Sequence, residues 1–184
     1  MIFRFVLLVL LALCSACVSR PVTSPVAEYL SAQETMTGAI LSPADEQDAV
    51  GRFRAFFGDI TEASVTAKIP ALYAENVFFN DTLKTVRGSQ AIEAYFLKTT
   101  KHANFVRAKV VDVARSGENY YLRWVMDVQF AGSKEVIRTD GMTHLRFDKD
   151  GKIILHQDFW DSTAGFFEHL PVLGPTITWI KAQI

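Results

Sequence analysis

Arg146-Phe147-Asp148-Lys149-Asp150-Gly151-Lys152-Ile153-Ile154-Leu155-His156-Gln157-Asp158-Phe159-Trp160-Asp161 is the stretch on which the fold of this 184-residue chain turns. Asp148 to Gly151 reads as a hairpin turn by its Asp-Gly ending, so the residues on either side form two antiparallel strands. Residues two apart in a strand share a face, which puts His156, Asp158 and Trp160 on one side of the second strand. A histidine, a carboxylate and a tryptophan together are odd for a plain core and natural for the wall of a pocket.

Working back from the turn, Lys134–Phe147 alternates Ile137, Thr139, Gly141, Thr143, Leu145 and Phe147 with Val136, Arg138, Asp140, Met142, His144 and Arg146. Before it, Tyr120–Phe130 puts Tyr120, Leu122, Trp124, Met126, Val128 and Phe130 on one face and Tyr121, Arg123, Asp127 and Gln129 on the other. One side is therefore buried and the other largely wet. Phe105–Arg115 is a further strand, turning at Ser116-Gly117. Ahead of the strands the period changes. Ser42 reads as an N-cap with Pro43 in the first turn, and Val50, Phe53, Phe57 and Ile60 follow at helical spacing. A second helix runs around Val65 to Tyr73, Asn76–Asn80 is a short strand, and a third helix starts at Gly88-Ser89. Three helices followed by successive hairpins make an α+β layout.

The first 16 residues stand apart from this domain. Arg4 precedes an apolar run, Phe5 to Leu13, which meets Cys14-Ser15-Ala16-Cys17. That is the pattern of a secretory signal, too short for a standard membrane span. Residues 17–42 are polar, contain Pro21 and Pro25, and read as a flexible tether. Residues 162–184 form an apolar tail, broken by Pro171, Gly174 and Pro175, that packs on the domain or lids it. The net charge of −1 argues against nucleic acid, which would need a basic face. Both cysteines lie before residue 18, which excludes thiol catalysis and disulfides in the domain.

The junction at Cys17 resembles a bacterial lipoprotein signal, in which the cysteine is lipidated and becomes the mature N-terminus. That resemblance implies an envelope protein, held by lipid to the outer membrane and facing the periplasm. Residues 43–161 resemble the SnoaL-like and ketosteroid-isomerase-like branch of the nuclear-transport-factor-two-like superfamily. The likeness rests on Leu72-Tyr73-Ala74-Glu75-Asn76-Val77-Phe78-Phe79-Asn80-Asp81, on Gly88-Ser89-Gln90-Ala91-Ile92-Glu93-Ala94-Tyr95-Phe96, and on the hairpin quoted above. It implies a cone: a strongly curved mixed or antiparallel sheet wrapped around the N-terminal helices, in the manner of a cystatin-like α+β barrel, with an apolar pocket inside. It also implies that Asp81 matches the general base of ketosteroid isomerases, while Phe57 and Thr143 fall on the two oxyanion-hole positions. Phenylalanine has no hydroxyl to donate and threonine is a weaker donor. Asp158 matches one catalytic aspartate of limonene-epoxide-hydrolase-like members, but the Arg-x-Asp pair such enzymes need, here Arg138-Thr139-Asp140, falls on the wet face.

Asp81, His156 and Asp158 are thus the candidate catalytic set, walled by Phe57, Trp124, Met126, Thr143 and Trp160, with the strand Ile153–Asp161 facing Asp81 across the pocket. A buried carboxylate among aromatics has a raised pKa, and an imidazole nearby can hold it ready as a base. The same pair reads equally as an internal hydrogen bond that satisfies a partly wet cavity. Two function classes follow: a domain that binds a small hydrophobic molecule without converting it, or an acid–base enzyme of isomerase, cyclase or hydrolase type. A dimeric assembly role is a third, through an outer sheet face made polar by Arg123, Arg138, His144 and Gln157. No motif implies a cofactor, and no third ligand for a metal accompanies His156 and Asp158.

Overall fold

The computed structural model describes residues 24–183; the leader, Cys17 and the start of the 17–42 segment lie outside them. The elements run α1 (Pro25–Thr35), α2 (Pro43–Phe57), α3 (Glu62–Leu72), β1 (Tyr73–Asn80), β2 (Thr85–Arg87), α4 (Ser89–His102), β3 (Ala103–Ser116), β4 (Asn119–Phe130), β5 (Ile137–Phe147), β6 (Ile153–Trp160), α5 (Ser162–Gly165), a 3₁₀ turn (Phe167–His169) and α6 (Leu173–Lys181). The six strands form one sheet in the order β2-β1-β6-β5-β4-β3. All neighbours are antiparallel except β1 and β6, which run parallel. Register shifts in β3–β4, in β5–β6 and in β1–β6 bend and twist the strands, and this curls the sheet around its helices.

Local chemistry accounts for the helix starts. The Ser42 hydroxyl accepts from the Asp45 amide, and Pro43 opens α2. Thr61 and Ser64 form a reciprocal capping box at α3. The core lies between α2–α4 and the inner sheet face, where Phe53, Phe56, Val65, Ile69, Leu72, Val77, Phe79, Ile92, Tyr120, Leu122, Leu145 and Phe147 are buried.

The opposite sheet face departs from the expectation of a wet surface. Part of the supposed tether, residues 25–35, is helix α1 instead, and it lies against β1, β6 and β5. Ala32 packs with Phe78 and Leu155, flanked by Tyr29 and Met36. His144 and Gln157 are consequently buried, at 0% and 6% exposure, while Arg123 and Arg138 remain exposed. A ring of polar contacts replaces the water these groups lose. The Tyr29 hydroxyl donates to His144 Nδ1 at 2.8 Å, and His144 Nε2 meets Asn119 Oδ1 at 2.9 Å. Arg146 donates to the Gln33 and Met36 carbonyls at 2.6 and 2.9 Å and to Asn119 Oδ1 at 2.8 Å.

Burial, and then the charge of Arg146, pushes His144 down from 6.5 to about 4. Between those values the unfolded chain binds more protons than the native one, so acidification lowers stability across that window. Urea unfolding at about pH 7 and about pH 5 is expected to show a larger loss for the native sequence than for His144→Gln. Asp81 titrates in the opposite sense but is common to both proteins. Equal losses in the two would overturn this assignment.

Candidate active site

The inner face of β6 carries His156, Asp158 and Trp160 side by side, as the alternation predicts. Across the β5–β6 ladder they stand opposite Leu145, Thr143 and Gly141 respectively. His156 is fully buried among the rings of Phe53, Phe57, Tyr73 and Phe79, whose centroids lie 4.7–6.0 Å from its own. Its two nitrogens are both engaged. Nδ1 lies 3.0 Å from the Tyr73 hydroxyl, and Nε2 lies 3.0 Å from Asp158 Oδ1. Burial, reinforced by the charges of Asp158 and Asp81, holds the Tyr73 pKa well above the ordinary value. The phenol therefore keeps its proton and donates it to Nδ1, which leaves Nε2–H to donate to Asp158.

Asp158 Oδ1 also accepts from the Thr143 hydroxyl at 2.5 Å, and Thr143 in turn accepts from the Trp124 indole at 2.8 Å. Five residues on four elements thus form one chain, Tyr73–His156–Asp158–Thr143–Trp124. Gly141 makes room for it: a Cβ there would stand 2.6 Å from the Trp124 ring. The glycine lets the indole lie flat against β5 and reach Thr143.

Asp81 does not face this strand across the pocket. It follows the last residue of β1, and the parallel β1–β6 ladder pairs Asn80 with Gln157, so Asp81 stands beside Asp158 at the same end of the sheet. The turn that holds it is locally determined. Asp81 Oδ1 accepts the Leu83 and Lys84 amides at 3.0 and 2.8 Å, and Asn80 Oδ1 accepts the Thr82 amide and Gln157 Nε2. Thr82 takes a left-handed conformation, φ 71°, which costs a non-glycine residue energy. The Trp160 indole pins the turn by donating to the Asp81 carbonyl at 2.7 Å. The Tyr95 hydroxyl donates to Asp81 Oδ2. Burial pushes the Asp81 carboxyl up, and the charge of Asp158 adds to this, against the pull of Tyr95 and the two amides.

The expected wall residues are placed as follows. Phe57 stacks on Phe53 with centroids 4.3 Å apart and lies over His156. Trp124 and Thr143 are buried in the relay, and Trp160 is half-buried beside Asp81. Met126 is half-buried, opposite Thr139 and packed against the main core. The tail covers this end of the sheet: Asp161 caps α5, Gly165 sits against the Trp160 ring, and Phe166 meets Phe130 edge-on. Arg138 forms a bidentate pair with Asp127 outside the cone, away from Asp158. Among the described residues no group of three or more His, Cys, Asp or Glu could share a metal ion. Sequence reading missed Tyr73 and Tyr95. Both lie inside the quoted family segments, and a hydroxyl on an otherwise apolar face was the signal available for each.

The family model for the SnoaL-like domain matches residues 53–156, more than half of the chain. This chain belongs to the SnoaL-like family. A comparison with curated proteins finds no match. The SnoaL-like domain resembles an NTF2-like protein of unknown function from Exiguobacterium, with a TM-score of 0.54 at 18% identity over 61% of this chain and 98% of that one. A Catenulispora acidiphila protein with a ketosteroid isomerase-like fold, solved with trimethylamine, gives 0.57 at 16%, covering 68% and 91%. An LEH-like epoxide hydrolase of M. tuberculosis gives 0.56 at 12%, covering 67% and 83%. At these identities the SnoaL-like domain shares their fold, and its chemistry has to be argued from its own side chains.

Proposed function

We propose that the domain takes a small, largely apolar, oxygen-bearing molecule into its cone and moves a proton to or from it, with Asp158 as base and Asp81 as the proton-holding partner. The observation that carries this reading is the placement of two interacting carboxylates side by side at one end of the aromatic cluster, one of them oriented by the Tyr73–His156 relay. Both donors to Asp158 land on Oδ1, and the side chain keeps 13% exposure, so Oδ2 is the oxygen left to meet a ligand. Burial raises the proton affinity of Asp81, which suits it to hold a proton at this site. Proton abstraction beside a carbonyl and activation of a water molecule both fit, in isomerase, cyclase or hydrolase chemistry. The pattern of the leader, with Cys17 after Ser15-Ala16, supports a location at the bacterial envelope with lipid on Cys17.

A second reading, binding without conversion, is favoured by the two oxyanion-hole positions: Phe57 has no donor, and the Thr143 hydroxyl is committed to Asp158. Native mass spectrometry of the purified chain, alone and with a panel of small apolar ketones, esters and epoxides, separates the two. Isomerisation and intramolecular ring closure conserve mass, so the released compound is compared with the added one by NMR as well as by mass, and a panel member released as a different compound supports the enzyme. A bound but unchanged one supports the binder. Failure to hold any co-purified or added apolar molecule sinks both.

A further inference from the structure

The C-terminal helix α6 turns its apolar side outward. Its packed side carries Gly174, which is buried against the Glu168 backbone, and Lys181, which pairs with Glu168. The other side, at helical spacing, carries Leu173, Thr176, Trp179 and Ile180, with Val172 just before the helix. Val172 is 80% exposed and Trp179 65%, with Leu173 and Ile180 each near half. A tryptophan among aliphatic residues on a short surface helix is the composition of a segment that rests in a bilayer interface.

The position of the other terminus identifies what covers this face. Tyr29 in the first half of α1 meets Phe159 near the end of β6, and Glu28 meets Arg87. Helix α1 runs back along the sheet from there, since its last turn is held by Arg146. The tail departs from that same end of β6, through Asp161, and His169 reaches Glu135 beside the β4–β5 hairpin. The chain therefore enters the fold and leaves it at one end. Cys17 lies seven residues before Ser24, a stretch that spans at most about 25 Å. A lipid on Cys17 holds this end of the domain against the bilayer. Val26, 63% exposed at the start of α1, adds to the apolar surface there.

We infer that α6 is a second membrane contact, seating Leu173, Trp179 and Ile180 in the headgroup region of a phospholipid bilayer and turning the covered mouth of the cone toward the lipid. This rests on the reading of the leader as a membrane anchor. A two-point attachment fixes orientation as well as distance, because the second site binds at the high effective concentration set by the first.

The test uses the full chain, produced in a bacterium with its own leader, on vesicles of phosphatidylethanolamine and phosphatidylglycerol with brominated acyl chains, which quench tryptophans that reach them. Flotation with the vesicles reports the anchor, and quenching reports the helix. The native chain is expected to float and be quenched, and Trp179→Phe to float with most of that quenching lost, because Trp124 and Trp160 belong to the cone. The double variant Leu173→Ser, Ile180→Ser is expected to float with Trp179 unquenched. A chain that floats with the same quenching in native and Trp179→Phe overturns the α6 contact and leaves the anchor standing. So does concentration-dependent self-association that shields Trp179 from an aqueous quencher without lipid. A chain that does not float overturns both.

Discussion

Asp158→Asn is expected to lower turnover of the domain's substrate by roughly 10²–10⁴-fold, the usual contribution of a positioned base, with the fold retained. The asparagine is nearly isosteric, and its carbonyl oxygen can take the place of Oδ1. It then still accepts from the Thr143 hydroxyl and from His156 Nε2, and only the basic oxygen facing the cone is replaced by an amide. Asp158→Ala differs: it strands the donor of a fully buried histidine, which costs about 1–3 kcal/mol of stability. The pair of variants thus separates chemistry from structure. Turnover is measured on the substrate identified by the mass screen, and unfolding by urea titration. Undiminished turnover in a folded Asp158→Asn protein would remove Asp158 from the mechanism and leave the relay as core architecture.

Arg146→Met is expected to destabilise the protein by about 2–4 kcal/mol, because it takes a buried guanidinium away from three neutral acceptors and from the half-buried Glu118. The guanidinium is 7% exposed as a residue and serves two carbonyls in the last turn of α1 and beyond it, the Asn119 amide oxygen and, at 3.2 Å, the Glu118 carboxylate. Glu118 also accepts the Gly38 amide. Methionine matches the stem but leaves Glu118 and three acceptors short of their donor. Against a total stability of about 5–15 kcal/mol, such a loss is large. Hydrogen exchange is expected to show the amides of α1 losing protection before those of β3 and β4. A change under about 1 kcal/mol, or α1 protection equal to that of the native protein, would show that α1 is held without Arg146, by the Ala32–Phe78–Leu155 packing and the Tyr29 contacts.

Arg146 also shows why part of the fold escaped sequence reading. Helix α1 buries only Ala32 fully, so its segment has no apolar stripe to announce it. It is held by groups far away in the chain, 110 and 113 residues from its carbonyls in the case of Arg146. Once α1 is docked, His144 and Gln157 pass from a wet face to a buried one without any change in the local pattern. The alternation correctly put them on the face opposite His156, but alternation distinguishes faces and does not say what lies on each.

The candidate site divides along the same line. That His156, Asp158 and Trp160 share a wall with Thr143 and Trp124 was determined by the sequence itself, through the two-residue period of the strands and the Asp148–Gly151 turn that sets their register. Those are short-range properties of the backbone, and they hold wherever the strands end up. The partnership of Asp81 with Asp158 was decided by tertiary structure. It depends on β6 pairing in parallel with β1, a contact between segments 77 residues apart that no local period encodes. The same pairing brings Tyr73 to His156, and the packing of α4 brings Tyr95 to Asp81. These two hydroxyls give the two carboxylates different surroundings, and so the capacity for different roles.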